Sequence, residues 1–272
     1  MRKSRRAPIA VLTDFGYRDH YVGVMKGAIT SIAPDAQVID ITHGVPPQSI
    51  VAGAIALRES WRFFPQRTVF LAVVDPGVGT SRLPVAIETR AGARFIGPDN
   101  GLLSLAAADA GIKTIVCLES SRHRLANPSS TFHGRDIFAP AAAHLAAGVS
   151  LSALGSKLVR IETLKLPKPE PVRDNIRGEL LYIDGYGNLI TNISRRDVAR
   201  LLSSFRAKSV SVRIKAGAPM KILNTYGDAR SGGILAAFGS FELLEIAVRD
   251  GSAARRLRCR VGDSVKVSVT RS

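Results

Sequence analysis

Residues 9–12, 38–41 and 69–74 are short apolar runs of strand length, and between them residues 21–32 and 49–61 repeat their apolar positions with helical period. A chain that alternates in this way buries its strands under helices on both faces, so the N-terminal part reads as α/β. Residues 85–89, 94–96 and 114–118 continue the strand series, and residues 102–110 and 137–147 the helices.

The pattern changes at residues 164–175, LKLPKPEPVRDN, where Pro167, Pro169 and Pro171 lack amide donors and fix extended backbone. With residues 166–175 as a linker, the chain divides into an N-terminal α/β sheet domain at 1–165 and a smaller, mostly-β C-terminal domain at 176–272. In the latter, residues 178–183 and 189–193 read as strands around a glycine-rich turn, and Val265, Val267 and Val269 alternate with Lys266, Ser268 and Thr270. One helix interrupts these strands, opened by Ser194 with Asp197 in its first turn.

The 272 residues carry 38 Lys and Arg against 22 Asp and Glu, a formal net charge of +16. That balance raises nucleic acid as a partner through phosphate attraction. The basic residues cluster at the ends, however, at Arg2, Lys3, Arg5 and Arg6 and at Arg255, Arg256, Arg258 and Arg260, while aromatics make up only 6%. Neither an aromatic groove nor a broad base-stacking surface is expected, and nucleic acid is not the expected main partner. Cys117 and Cys259 lie far apart in apolar contexts and read as two reduced, buried thiols. The apolar run 9–12 is too short for a signal peptide or a membrane span, so the expectation is a cytoplasmic protein with no membrane partner.

Several polar segments stand where a strand ends or a helix begins, the edge at which ligands collect in open α/β sheets. Thr13-Asp14-Phe15-Gly16, with Asp19, is the first; Asp14 can accept both hydroxyls of a ribose or cap the following turn and helix. Asp75 to Arg82 is the second, with Gly77 and Gly79 allowing close ligand approach; it reads either as a site or as a tight turn with an exposed Asp–Arg pair of little energetic weight. It lacks both the lysine and the spacing of a phosphate-binding loop. The third is Ser130 to Asp136, where His133 occupies a polar helix entry beside Arg135 and Asp136 and can titrate near neutrality. His20, His43, His123 and His144 show no partner pattern. Asp184 to Asn192 and Gly239-Ser240-Phe241-Glu242 read by themselves as glycine turns. No cluster has metal-ligand spacing, and no serine nucleophile elbow is present, so neither metal-assisted nor covalent serine hydrolysis is expected.

Taken in order, TDFGYRDHYVGVMKG, VVDPGVGTSR, IGPDNG, STFHGRDIFAPAA and IDGYGNLITNI followed by GSFELLEIA form a set more specific than any one piece. The set resembles the S-adenosyl-L-methionine (SAM) hydroxide adenosyltransferases, the SAM hydrolases related to SAM-dependent fluorinase and chlorinase. The resemblance implies an enzyme that attacks C5′ of SAM with water or hydroxide and releases adenosine and L-methionine, with SAM as substrate and no cofactor or metal. It implies Asp75, Arg82 and His133 as catalytic residues. It also implies ligand contacts from Asp14 to the ribose diol, from Asn188 near adenine, and from Asp19, Asp184 and Ser240 to the methionyl end. The family is a homotrimer in which SAM lies between the first domain of one subunit and the second domain of its neighbour, and the same assembly is expected here.

Three departures separate this chain from the halogenase pattern. Halogenases have Tyr at the position of Asp75 and Tyr-Ser at that of His133-Gly134, and they carry a longer insertion after the arginine loop. Gln48 stands where the related enzymes tend to place an aromatic. The expected division of labour gives Arg82 the stabilisation of developing hydroxide, Asp75 the orientation of water and of Arg82, and His133 the proton transfer. A SAM halogenase and a non-catalytic adenosine-binding or RNA-binding protein are the alternatives.

Overall fold

Ile9, Ala10, Val11 and Leu12 are all buried, so strand β1 (Ile9–Thr13) is covered on both faces, as its uninterrupted apolar run requires. The computed structural model describes residues 6–270, and Arg2, Lys3 and Arg5 of the basic arm lie outside the described residues. Chain contacts divide the protein into two units, Met1–Leu164 and Lys165–Ser272.

In the first unit β1 is followed by α1 (Tyr21–Ile32), β2 (Val38–Thr42), α2 (Ile50–Ser60), β3 (Val69–Val73), β4 (Pro84–Thr89) and β5 (Arg94–Pro98). Then come α3 (Ser104–Asp109), β6 (Ile112–Cys117), α4 (Ala139–Ala146) and β7 (Lys157–Leu158). The helix expected over 137–147 is entered through a π-helical turn, Gly134–Phe138, a distortion frequent at functional sites. The sheet order is β2-β1-β3-β5-β4-β6-β7. β2, β1, β3 and β5 are parallel, and β4, β6 and β7 add antiparallel pairings.

Because β2 lies on one side of β1 and β3 on the other, the winding reverses between β1 and β3. Such a switch point leaves a crevice beyond the C-terminal ends of the two strands. Thr13 pairs with Val73, so the residues that follow, Asp14 on one strand and Val74-Asp75 on the other, leave the sheet side by side. On one face of the sheet Val11, Leu71 and Val73 pack with Met25 and Ile29 of α1 and the alanines of α4. Leu12 points the other way, toward Gly53 of α2, where an added Cβ would lie 2.8 Å from Leu102.

The second unit contains β8 (Glu170–Val172), β9 (Asn175–Ile183), β10 (Leu189–Ser194), α5 (Arg195–Phe205), β11 (Val210–Ile214) and β12 (Met220–Lys221). β13 (Ile234–Phe238), β14 (Leu243–Val248), α6 (Ala253–Leu257) and β15 (Ser264–Val269) complete it. Among the described residues the named strands pair antiparallel, in the order β12-β11-β15-β9-β10-β14-β13. The two ends of that order meet where Leu223 N donates to Ala236 O at 2.8 Å, which closes the sheet toward a barrel. Val265 and Val267 face the resulting core, as their alternation requires.

Three expectations are corrected. Part of the proline-rich segment 166–175 is a strand, β8, whose Pro171 pairs opposite Ile176 on β9; an edge strand tolerates a missing amide. α5 has the expected cap, with Ser194 and Asp197 forming a reciprocal capping box, but a second short helix, α6, follows it, and Arg258 of the C-terminal basic cluster ends that helix with φ 49°. Cys117 is buried, but Cys259 is only half-buried. Among the described residues no helix is long and apolar enough to cross a membrane.

Gly97 on β5 is needed for close approach: a Cβ there would lie 2.2 Å from the carbonyl oxygen of Ala72 on β3. Gly97→Ala must push these neighbouring strands apart and should destabilise the protein by about 1–3 kcal/mol. Urea unfolding measures this, and an unchanged midpoint would contradict it.

Candidate active site

Asp75 stands just past the end of β3, and the loop from it to Arg82 turns twice, with Val78 N bonding Asp75 O at 3.2 Å and Thr80 N bonding Gly77 O at 3.1 Å. Gly79, at φ +79°, brings this loop against the segment that carries His133: a Cβ would lie 2.8 Å from the carbonyl oxygen of Ser130. The contact places three side chains together. Arg82 Nε donates to both carboxylate oxygens of Asp75 at 3.0 Å, and Arg82 Nη2 lies 2.7 Å from His133 Nδ1. The side chains of Asp75 and Arg82 are 6% and 8% exposed, so the reading as a solvated surface pair is overturned. The guanidinium also lies 5.2 Å from the ring centroid of Phe138, in the π-helical turn.

A guanidinium only donates, so His133 Nδ1 accepts and Nε2 carries the proton. Burial pushes the His133 pKa below the ordinary imidazole value and the positive charge of Arg82 pushes it further, against the opposing pull of Asp75 and Asp136. Near neutral pH His133 is therefore uncharged, where the sequence suggested a group in mid-titration. Asp136 has no hydrogen bond to it. Its carboxylate accepts from Arg135 Nη2 at 2.9 Å and from Ser129 N at 2.8 Å, and so holds the loop before the turn.

Asp14 caps no helix, since α1 begins at Tyr21 without a side-chain cap. Instead its Oδ2 accepts from Gln48 N at 2.7 Å. Gln48 thus contributes its backbone, held at φ 63°, where related enzymes tend to have an aromatic side chain. Asp19 is exposed. Phe15, Tyr21 and Phe132 form an aromatic trio with centroids 5.2–6.0 Å apart, fastening the Asp14 loop to the His133 segment.

In the second unit Asp184, Asn188 and Ser240 line one cavity of about 810 Å³. Asp184 Oδ1 accepts from Tyr186 N at 2.9 Å and Asn188 N at 2.8 Å, and its Oδ2 accepts from Asn188 Nδ2 at 2.9 Å. The Asn188 amide is thereby turned so that Oδ1 remains to receive a donor, which is the polarity an exocyclic purine amine requires. Tyr182, Tyr186, Tyr226 and Phe241 share the wall, so the aromatic groove that a 6% aromatic content argued against is present.

The cavity holds one further residue that sequence reasoning missed. Glu245, 7% exposed, accepts from the Tyr226 hydroxyl. Burial raises its pKa, as does the nearby Asp184, while the Tyr226 bond opposes them. The only signal in the sequence was an acid in the middle of an otherwise apolar strand. Two other histidine groupings were also missed: His43 beside Thr13, and the edge-on pair His123–His144 with centroids 4.8 Å apart. Among the described residues no cluster of three or more His, Cys, Asp or Glu could hold a metal ion.

If the Arg82 charge helps hold His133 neutral, Arg82→Met should raise the His133 titration midpoint toward the ordinary value of about 6.5. Imidazole NMR signals followed against pH measure this, and a midpoint that stays or falls would refute the coupling.

Comparison with known proteins gives the family. Residues 9–155 match the model of the SAM hydroxide adenosyltransferase N-terminal domain, and residues 178–266 that of the corresponding C-terminal domain. An (R)-S-adenosyl-L-methionine hydrolase from Thermus thermophilus is 38% identical over 96% of this chain and 99% of its own. A fluorinase from Nocardia brasiliensis is 30% identical over 97% of this chain and 98% of its own. A crystal structure of a conserved protein from Thermotoga maritima, described as uncharacterized, superposes with a TM-score of 0.87 at 39% identity, covering 96% of this chain and 99% of that one. Both units of the chain match, in order and over nearly their whole length, and the chain belongs to the SAM hydroxide adenosyltransferase family.

Proposed function

We propose that this protein hydrolyses SAM at C5′ to adenosine and L-methionine, as a cytoplasmic homotrimer that needs no cofactor. The observation that carries the reading is the Asp75–Arg82–His133 array at the switch-point edge, beside Asp14, with its ion pair enclosed and its histidine half-buried. Sulfonium sulfur leaves as a neutral thioether, so the enzyme has no leaving group to protonate and needs to supply only an oriented oxygen nucleophile.

Arg82 spends Nε and Nη2 on Asp75 and His133, and among the described residues no hydrogen bond engages its Nη1, which is available to an oxyanion. Asp75 fixes the plane of the guanidinium and retains lone pairs to orient water. His133 takes the proton at Nδ1 as the Arg82 donor turns from that nitrogen to the forming hydroxide. Oxygen then bonds to C5′, the C5′–S electron pair goes to sulfur, and the proton passes from imidazole to solvent. Asp14 holds the ribose diol, Asn188 lies near adenine, and Asp19, Asp184 and Ser240 contact the methionyl end.

The relative from T. thermophilus is named for the (R) form of SAM. Preference for that sulfonium epimer is part of the proposal. The fluorinase similarity keeps halide attack as the second reading, against which stand Asp75 and His133-Gly134 in place of the halogenase Tyr and Tyr-Ser.

Incubation of each SAM epimer in water enriched in heavy oxygen tests the reaction, with labelled adenosine from the (R) form as the expected product. Unlabelled adenosine would overturn it, and 5′-halo-5′-deoxyadenosine in excess halide would establish the second reading. Salt-steep RNA binding without turnover would favour the nucleic-acid alternative instead. Arg82→Ala and His133→Ala should bind SAM but form no adenosine. Because neutral His133 is the active form and its pKa is lowered, kcat should hold at neutral pH and fall only as pH drops below about 6.5. A loss of rate that begins above neutrality would contradict this role.

A further inference from the structure

β1 and β2 do not pair evenly. Val11 lies opposite Asp40, but Leu12 lies opposite Thr42, so Ile41 is an extra residue in β2. A bulge of this kind re-aims the side chains that follow it. Here it turns His43 back under the end of β1, where its side chain is 0% exposed.

His43 Nδ1 lies 2.8 Å from Thr13 Oγ1, and Nε2 lies 3.1 Å from Asp40 Oδ1. Nε2 and Oδ1 are both buried and neither completes a hydrogen bond among the described residues, so their close approach to each other is what offsets their burial. Thr13 Oγ1 also accepts from Phe15 N at 3.2 Å, and the His43 carbonyl accepts from Gly16 N at 2.8 Å. Asp40 Oδ2 receives Tyr17 Oη at 2.9 Å and Lys26 Nζ at 2.8 Å, while the Tyr17 ring meets the His43 ring edge-on at 5.1 Å. Thr13, Phe15, Gly16 and Tyr17 are thus all tied to the Asp40–His43 pair. Asp14, in their midst, makes no bond to it and turns its carboxylate to Gln48 N instead.

We propose that Thr13, His43 and Asp40 form a positioning unit for Asp14, with His43 as the keystone that sets the angle at which the Asp14 carboxylate meets the ribose diol of the substrate. His43 touches no reacting atom and acts through the segment 13–17. The buried array around Arg82 stands on other loops, so loss of His43 weakens ribose recognition and leaves proton transfer intact. The inference rests on the reading that Asp14 is the ribose ligand.

The experiment compares SAM with its 2′,3′-dideoxyribose analogue in wild type, His43→Ala, His43→Gln, Asp40→Asn and Asp14→Ala. Wild type should prefer SAM in kcat/KM, and Asp14→Ala should erase most of that preference. His43→Ala should raise KM for SAM about tenfold, the size of one charge-assisted hydrogen bond, with kcat nearly unchanged, and should shrink the preference as Asp14→Ala does. His43→Gln retains a donor and an acceptor and should restore most of it. Asp40→Asn, which keeps His43 in place, should give an intermediate loss and serves if His43→Ala does not fold. A purely structural His43 would lower kcat/KM for both substrates alike with the preference intact, which would overturn the proposal. An intact preference in Asp14→Ala would instead overturn the ribose reading on which it rests.

Discussion

Arg82 is charged at every working pH, yet its side chain is almost entirely enclosed, and the arrangement around it follows from that conflict. A guanidinium in such a place needs a carboxylate, which Asp75 supplies, and acceptors for its remaining donors, one of which is His133 Nδ1. This single demand selects the imidazole tautomer, adds to burial in lowering its affinity for a proton, and joins the end of β3 to the π-helical turn ahead of α4. Gly79 then has a clear role: it lets the loop of Asp75 and Arg82 approach the segment of His133 that Arg82 must reach. Deleting one member of such a pair leaves the other buried and unpaired, at a cost of about 3–5 kcal/mol. The array therefore supports the loops as well as the chemistry.

The second unit works by a different principle. Asp184 spends its carboxylate on the turn that bears it, so its contribution to the cavity is mostly to lock Asn188 in one orientation. Glu245, buried beside Tyr226 and facing the charge of Asp184, gains a proton more readily than an exposed acid. The wall thus includes fixed dipoles and aromatic faces, and a ligand that enters it need not order those groups. Preorganisation of this kind raises affinity by reducing what binding must immobilise.

Local features were legible in the sequence where local physics decides them. The apolar period placed α1 at Tyr21–Ile32, and Ser194 with Asp197 marked a capped helix because a cap is a contact within one turn. Asp75, Arg82 and His133 could be singled out as loop residues at element ends, but only the family resemblance linked them. What joins them is a bond between Arg82 and His133 across distant segments, and no periodicity encodes that. The same limit hid His43 under Thr13, and it hid the gathering of three tyrosines around one cavity, since composition counts aromatics without locating them. β8 was lost for another reason: prolines forbid a central strand but not an edge, and the edge is a property of the closed sheet.

A depressed imidazole pKa at first argues against His133 as the acceptor of a proton from water. At rest the argument holds, because protonation at Nδ1 would set a second cation against Arg82. It weakens once an oxyanion begins to form. The forming hydroxide is a better acceptor for Arg82 than a neutral ring nitrogen, so the donor that occupied Nδ1 has somewhere else to go, and Nδ1 is freed at the moment a proton must be taken. Asp75 remains to balance the charge of the new imidazolium. In the proposed mechanism the resting bond between Arg82 and His133 then acts as a restraint, one that opposes idle ionisation of water and yields when an electrophilic carbon stands ready to consume the hydroxide.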